Sequence, residues 1–176
     1  MVVSYSDGEG SDAGVGVAVW CSELLGDVPR AGFLEVPYEV RKLWASQKAH
    51  ALAHSSSEEE FRDIIEIEAV GPLVMLHSWP EIFFESLWMH YIDNNSALGG
   101  LVKGSSSVLQ KDIIIGHTWA LISHLHVCAW FDRVDSASNP VDGLSRKDFS
   151  GMWSWSPVSL PSALLSDLRR AAHHAL

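Results

Sequence analysis

The chain has 176 residues, 47% of them hydrophobic, and a formal net charge of −10. That length suggests one domain able to bury a core without staples, and the apolar content excludes global disorder. The acidity weighs against a free-standing nucleic-acid binder held by a basic surface, although a carboxylate site filled by divalent cations reverses its own local charge.

Residues 2–7 (VVSYSD) alternate and are rich in strand formers, and GEGSDAG then reads as a turn. Residues 14–20 (GVGVAVW) form the second arm of a hairpin, and residues 32–37 (GFLEVP) a third strand. The polar stretch 38–63 reads as a short helix near 39–53 followed by a loop. Within it the Glu58–Glu60 run suggests a solvated helix start, with Ser57 as cap and Glu60 completing a capping box. Residues 67–79 place Val70, Leu73, Val74, Met75 and Leu76 on a broad apolar helical face. Pro72 fits only the first turn of a helix, so this helix should begin near Glu68 or Ala69. Residues 86–93 (SLWMHYID) read as a strand, and 94–104 as a helical turn or two closed by glycine. Residues 109–125 read as an amphipathic helix with Ile114, Leu121, Ile122 and Leu125 on one face. Residues 126–134 (HVCAWFDRV) read as the last strand. The Asn-Pro in 136–146 marks a polar loop, and a final helix runs from about 161 to 174. The short MWSWSP at 152–157 is too brief to assign.

The expected fold class is therefore α/β. An antiparallel β1-β2-β3 meander is followed by parallel strands, giving a mixed five-stranded sheet with helices on both faces. The main domain spans 1–150, with 38–63 an insertion or linker inside it, and 151–176 is a C-terminal tail carrying a helix. Cys21 and Cys128 lie in apolar runs and read as buried thiols rather than a disulfide. Trp20, Trp79, Trp88, Trp119 and Trp130 read as core rather than as base-stacking platforms. No signal peptide is recognisable and no apolar run reaches the roughly 18 residues of a membrane span; an intracellular location is expected.

Four carboxylates carry the chemistry. Asp7 ends the first strand, Glu68 starts the first major helix, Asp93 ends the fourth strand, and Asp142 lies in the loop after the last. Sites in open sheets gather at strand ends. Convergent carboxylates are what Mg²⁺ or Mn²⁺ requires, because the cations relieve the repulsion of the bare acids. Taken singly, each acid reads more simply as a turn or cap residue. Asn94 reads as a helix cap, and Lys103, Arg133, Arg146 and Lys147 flank the site as phosphate contacts or as solvent-facing charge. Nine histidines find no cysteine at a zinc spacing. GEG and GVG lack the Lys-Ser/Thr of a phosphate loop, and no G-x-S-x-G nucleophile word is present.

The local words around the acids go further. YSDGEGSDAGVGVAVW (5–20), IEIEAVGPLVMLHSW (65–79), HYIDNNSALGGLVKGSSS (90–107) and WFDRVDSASNPVDGLSR (130–146) resemble, in this order, four stretches of the ribonuclease H-like domain of retroelement reverse transcriptases. The resemblance implies two-metal hydrolysis of the RNA strand of an RNA–DNA hybrid, with two Mg²⁺ or Mn²⁺ ions. It implies that Asp7 bridges the ions, that Glu68 and Asp93 bind one, and that Asp142 completes the other. Asn94, Lys103, Arg133 and Arg146 would touch substrate, and a polymerase domain would belong to the parent protein. Glu66 competes with Glu68 for the second acid; the distance to Trp79 favours Glu68. Asp135 stands where the family often has proline. Two alternatives are a decayed, non-catalytic retroelement remnant that binds or scaffolds, and another nuclease of the same fold.

Overall fold

The structure is a computed structural model that describes residues 1–10, 12–44 and 63–174. It is a six-stranded mixed sheet with helices. The strands are β1 (Val2–Glu9), β2 (Gly14–Trp20), β3 (Arg30–Glu35), β4 (Leu87–Ile92), β5 (Cys128–Arg133) and β6 (Ser154–Trp155). They lie in the order β5-β4-β1-β2-β3-β6. The β1-β2-β3 meander is antiparallel and β4 and β5 join in parallel, as expected, while β6 pairs in parallel with β3. The sixth strand is the addition. It is two residues long, held by Ser154 N–H to Pro29 O (2.9 Å) and Ser156 N–H to Ala31 O (3.0 Å). Pairing alone defines it, so the tail segment after 150 contributes to the sheet.

The helices are α1 (Ser22–Leu25), α2 (residues 38–44), α3 (Asp63–Ser78), α4 (Pro80–Phe83), α5 (Asn95–Lys103), α6 (Leu109–His124), α7 (Asp142–Ser145) and α8 (Ser162–His174). The expected helix over 39–53 is described only to residue 44. The Glu58–Glu60 start lies outside the described residues, as does most of the 38–63 insertion. Among the described residues, no helix is long and apolar enough to cross a membrane.

Strand alternation sorts the interior into two layers. Val15, Val17 and Val19 of β2 lie on the α3 side and join the main core with Trp79, Trp88 and Phe83. On the other face, Ala18 and Ala31 meet Val141 and Leu144 beneath α7. Among the described residues, the helix on that second face is α7, which lies over β1, β2 and β3. Trp130 is therefore 64% exposed and Cys128 is also exposed, against their expected burial. On β5, Ala129 and Phe131 pack inward while the alternate residues face solvent. Trp20 and Trp119 are half-buried; Trp79 and Trp88 are buried as expected.

α3 begins at Asp63, five residues before the expected start, and carries Pro72 in its interior. Proline there removes the donor that would bond the Glu68 carbonyl. The helix persists because Ile67, Ala69 and Val70, all before the proline, are fully buried, and burial of such side chains outweighs one missing bond. Gly71 sets how closely α3 lies on the sheet: a Cβ there would sit 2.3 Å from the Ser6 Cβ. Gly71→Ala must push α3 off β1, and we expect it to destabilise the fold by about 1–3 kcal/mol. Urea denaturation checks this; an unchanged midpoint would show that the helix–strand spacing is not tight.

α5 has the ends that its sequence announces. Asn94 Oδ1 accepts from Ser96 N–H (2.9 Å) and Ala97 N–H (3.0 Å). Gly104, at φ 75°, closes the other end in the left-handed region that glycine enters freely.

Candidate metal centre

Three of the four acids converge. Asp7, Glu68 and Asp93 each present a carboxylate oxygen within 4.8 Å of the others. Asp7 comes from β1, opposite Gly16 in the β1–β2 register. Glu68 comes from α3, and Asp93 follows the last residue of β4. The parallel β1–β4 pairing carries the ends of both strands to the same edge of the molecule. The close seating of α3 brings Glu68 to Gly8, whose backbone N–H bonds its carboxylate. Glu66 is fully buried but lies outside this cluster, since two residues turn a helix by roughly 200°.

The cluster is electrostatically unfavourable as bare protein. Burial pushes Glu68 up to about 9, and Asp7 and Asp93 push it the same way, against the lowering bond from Gly8. Burial likewise raises Asp7 to about 7; the Ser145 hydroxyl opposes the rise, while Asp93 and Asp142 add to it. Glu68 Oε2 and Asp93 Oδ1 are buried and find no hydrogen-bond partner among the described residues. Buried acceptors are normally satisfied. Two orphaned carboxylate oxygens facing a third acid suit a hard divalent cation, which takes oxygen ligands and cancels the repulsion. The residues present thus fit Mg²⁺ or Mn²⁺.

Asp142 stands beside this trio rather than in it. Its charge raises Asp7 and Glu68, but its own carboxylate is bound by Arg146 at 2.5 Å, one helical turn on. The expected four-acid cluster is therefore three acids and a flanking fourth. The fourth opens α7 instead of lying in an irregular loop, which puts Arg146 within reach at the i, i+4 spacing. Of the flanking cations, Arg133 pairs with Asp135 at 3.6 Å, and Lys147 with Asp12 at 3.2 Å and Glu35 at 3.5 Å. Lys103 closes α5. Asn94 serves as the α5 cap, so its side-chain oxygen is already used. Among the described residues no histidine joins the group formed by Asp7, Glu68 and Asp93.

Three polar residues near the acids were not singled out from sequence. Ser145 is fully buried; its hydroxyl donates to Asp7 Oδ2, and its Oγ lies 2.9 Å from the Asp142 carbonyl. Asn139 is buried and reaches from the loop before α7 to β1. His90 is fully buried on the opposite face, with its ring nitrogens 2.9 and 3.1 Å from the hydroxyls of Ser4 and Ser6. Burial alone pushes it down to about 3, so this imidazole stays neutral, and Trp88 Nε1–H donates to Ser4 at 2.7 Å to extend the network. Such residues carry no local signal, because each acts on a partner more than 80 positions away in sequence.

Glycine makes room for α7. A Cβ on Gly16 would lie 2.7 Å from Ser145 N, and one on Gly14 would lie 2.2 Å from Ser145 O. The helix backbone therefore rests directly on β2, and Ser145 reaches Asp7 across the strand.

No protein-family model matches the chain, and no curated protein matches it. The sheet and the acidic site define an α/β protein with a candidate centre for a divalent cation.

Proposed function

We propose that the chain is a ribonuclease H-like domain of a retroelement reverse transcriptase, which hydrolyses the RNA strand of RNA–DNA hybrids with two Mg²⁺ or Mn²⁺ ions. The observation that carries this reading is the meeting of Asp7, Glu68 and Asp93 from three separate elements, with two of their buried oxygens left unpaired. The antiparallel β1-β2-β3 meander with β4 and β5 added parallel beside β1 agrees with the fold that the resemblance implies. Bound ions would supply an activated water and stabilisation of the leaving 3′ oxygen. Asp7, Glu68 and Asp93 would hold them. Asp142 is adjacent and would leave Arg146 to join the second ion. Ser145 fixes the orientation of Asp7, and the half-buried Asp93 and Asp142 leave the site open to solvent on their side. A polymerase domain elsewhere in the parent protein would supply the basic surface that a chain of net charge −10 lacks.

A second reading has its own support. The Asp142–Arg146 pair at 2.5 Å and the acidic balance both suit a non-catalytic module that keeps the fold.

Cleavage of an end-labelled RNA–DNA hybrid by the purified protein tests the choice. The expected result is cutting of the RNA strand with Mg²⁺ and none with EDTA. Asp93→Asn should lower the rate by roughly 10³-fold, the scale of losing one preorganised charge-stabilising group. A folded protein that cuts nothing with either Mg²⁺ or Mn²⁺ would leave two readings, the non-catalytic module or a domain that cuts only when joined to its polymerase domain.

A further inference from the structure

The geometry points to Asn139 as the positioning residue of this metal centre: it ties the segment that bears Asp142 and Ser145 to the strand that bears Asp7. The inference rests on the metal-centre reading above. Three bonds converge on this one residue. Its Nδ2–H donates to the Ser6 carbonyl at 3.1 Å, its Oδ1 accepts from Val141 N–H at 3.3 Å, and its backbone carbonyl accepts from Asp142 N–H at 3.2 Å. Ser6 immediately precedes Asp7, and Val141 immediately precedes Asp142. The side chain therefore spans 133 positions of sequence to join the two segments one residue before each acid.

The location explains why a side chain is used. The β1–β4 register ends at the Tyr5–Tyr91 pair, and Ser6 is the next residue along β1. Past that point β4 gives way to Asp93 and α5. The Asn139 amide takes the carbonyl next beyond the end of that pairing. At 6% exposure it is shielded from water, and a buried amide bonded on both ends fixes a geometry more firmly than an exposed one. Two further contacts use the position so defined. Val141 and Leu144 pack against Ala18 and Ala31, and Ser145 then donates to Asp7. Packing and the Ser145 bond hold α7 against the sheet. The Asn139 bonds set its register along β1, and so which oxygens face Glu68 and Asp93.

Binding of Mn²⁺ alone, read from the loss of the free-ion electron paramagnetic resonance signal, tests the proposal in the full chain. Asn139→Ala, Asp142→Asn and the double variant are titrated beside the unaltered protein. Trp119→Phe is the control for general destabilisation, because it removes one bond to the Leu101 carbonyl (3.0 Å) between α5 and α6. Amide hydrogen exchange of Leu144 and Ser145 is followed in each protein without metal. Asn139→Ala should weaken Mn²⁺ binding by about 10–100-fold, the usual effect of removing a group that orients a ligand. The double variant should bind no more than about twofold more weakly than Asp142→Asn, since residues acting as one unit are not additive. The α7 amides should exchange at least ~10-fold faster in Asn139→Ala, and Trp119→Phe should leave the isotherm unchanged. An unchanged isotherm in Asn139→Ala, or losses that multiply in the double variant, overturns the role. If the unaltered protein takes up no Mn²⁺, the proposal falls with the metal reading, and the exchange data then assign the fault. Faster α7 exchange in Asn139→Ala means that the tether is real and the metal reading is wrong; unchanged exchange means that the tether itself is wrong.

Discussion

Glu68→Gln should make the metal-free protein more stable at neutral pH while weakening its binding of divalent cations. Glu68 is 4% exposed and its carboxyl is pushed up to about 9. The folded chain at pH 7 must therefore hold a proton on a group that the unfolded chain releases. That requirement costs on the order of 3 kcal/mol at neutral pH, from the roughly 2.5 pH units between the ordinary value of 4.5 and pH 7. Glutamine has nearly the same shape and needs no proton. Its oxygen can keep the bond from Gly8 N–H, and its NH₂ can donate where Glu68 Oε2 has no partner. Urea denaturation in EDTA should show a gain of that order, with the Tm higher by roughly 5–10 °C. Mn²⁺ binding should fall by more than about tenfold, because one of three oxygen ligands has lost its charge. A variant that is less stable than the unaltered protein would mean that Glu68 is held by an interaction other than the acidic cluster. Stabilisation together with full Mn²⁺ binding would remove Glu68 from the ligand set. Gain of stability on removing a site residue is the mark of a site built for function against the preference of the fold.

What could be read from sequence divides along physical lines. Elements set by local pattern were legible: the alternation in 14–20, the Asn94 cap, the Gly104 stop, and the apolar face of α6, where Ile114, Ile122 and Leu125 are buried. Three of the acids do come together, although Asp7 lies two residues inside the end of β1 and Glu68 inside α3 rather than at its start. The misreadings came where tertiary contact overrides local preference. Pro72 would end an isolated helix, but burial of Ile67, Ala69 and Val70 keeps α3 intact on both sides of it. Trp130 and Cys128 are apolar, but among the described residues no helix covers the face of β5 on which they lie. β6 is two residues with no pattern of their own. Asp142 lies in the right word and the right place, but its nearest cation is on its own helix, which no spacing argument weighed. The bonds that Ser145 and Asn139 make to β1 were hidden for a plainer reason. Serine and asparagine in a turn look like turn chemistry until the strand that they bind is known.

The last expected result follows from the sign of the shifts. Glu68 rises from an ordinary 4.5 to about 9, and Asp7 from 3.8 to about 7. An acid raised in the folded state contributes stability that is present below its unfolded value and lost as pH climbs through its folded value. The metal-free protein should therefore lose stability between about pH 4.5 and 9 on account of Glu68, and between about pH 3.8 and 7 on account of Asp7, at about 1.4 kcal/mol per pH unit for each proton. His90 acts in the opposite direction. Its value falls from 6.5 to about 3, so its contribution is present above 6.5 and is lost as pH drops toward 3. Divalent cations reverse the trend set by the acids, because the bound form needs them ionised, and the stabilisation grows with the ratio of free metal to dissociation constant. Urea midpoints measured from about pH 5 to about pH 8, in EDTA and in millimolar Mn²⁺, should therefore diverge as pH rises. Combining Asp7→Asn with Glu68→Gln should remove the fall with pH from the metal-free curve and leave the rise toward pH 6.5 set by His90, and the Mn²⁺ curve of that double variant should fall onto it. Two parallel curves for the unaltered protein would mean that the cation binds somewhere other than these acids. A metal-free curve that rises with pH would mean that the cluster is already neutralised by a protein cation, and the case for a metal centre would lose its electrostatic basis.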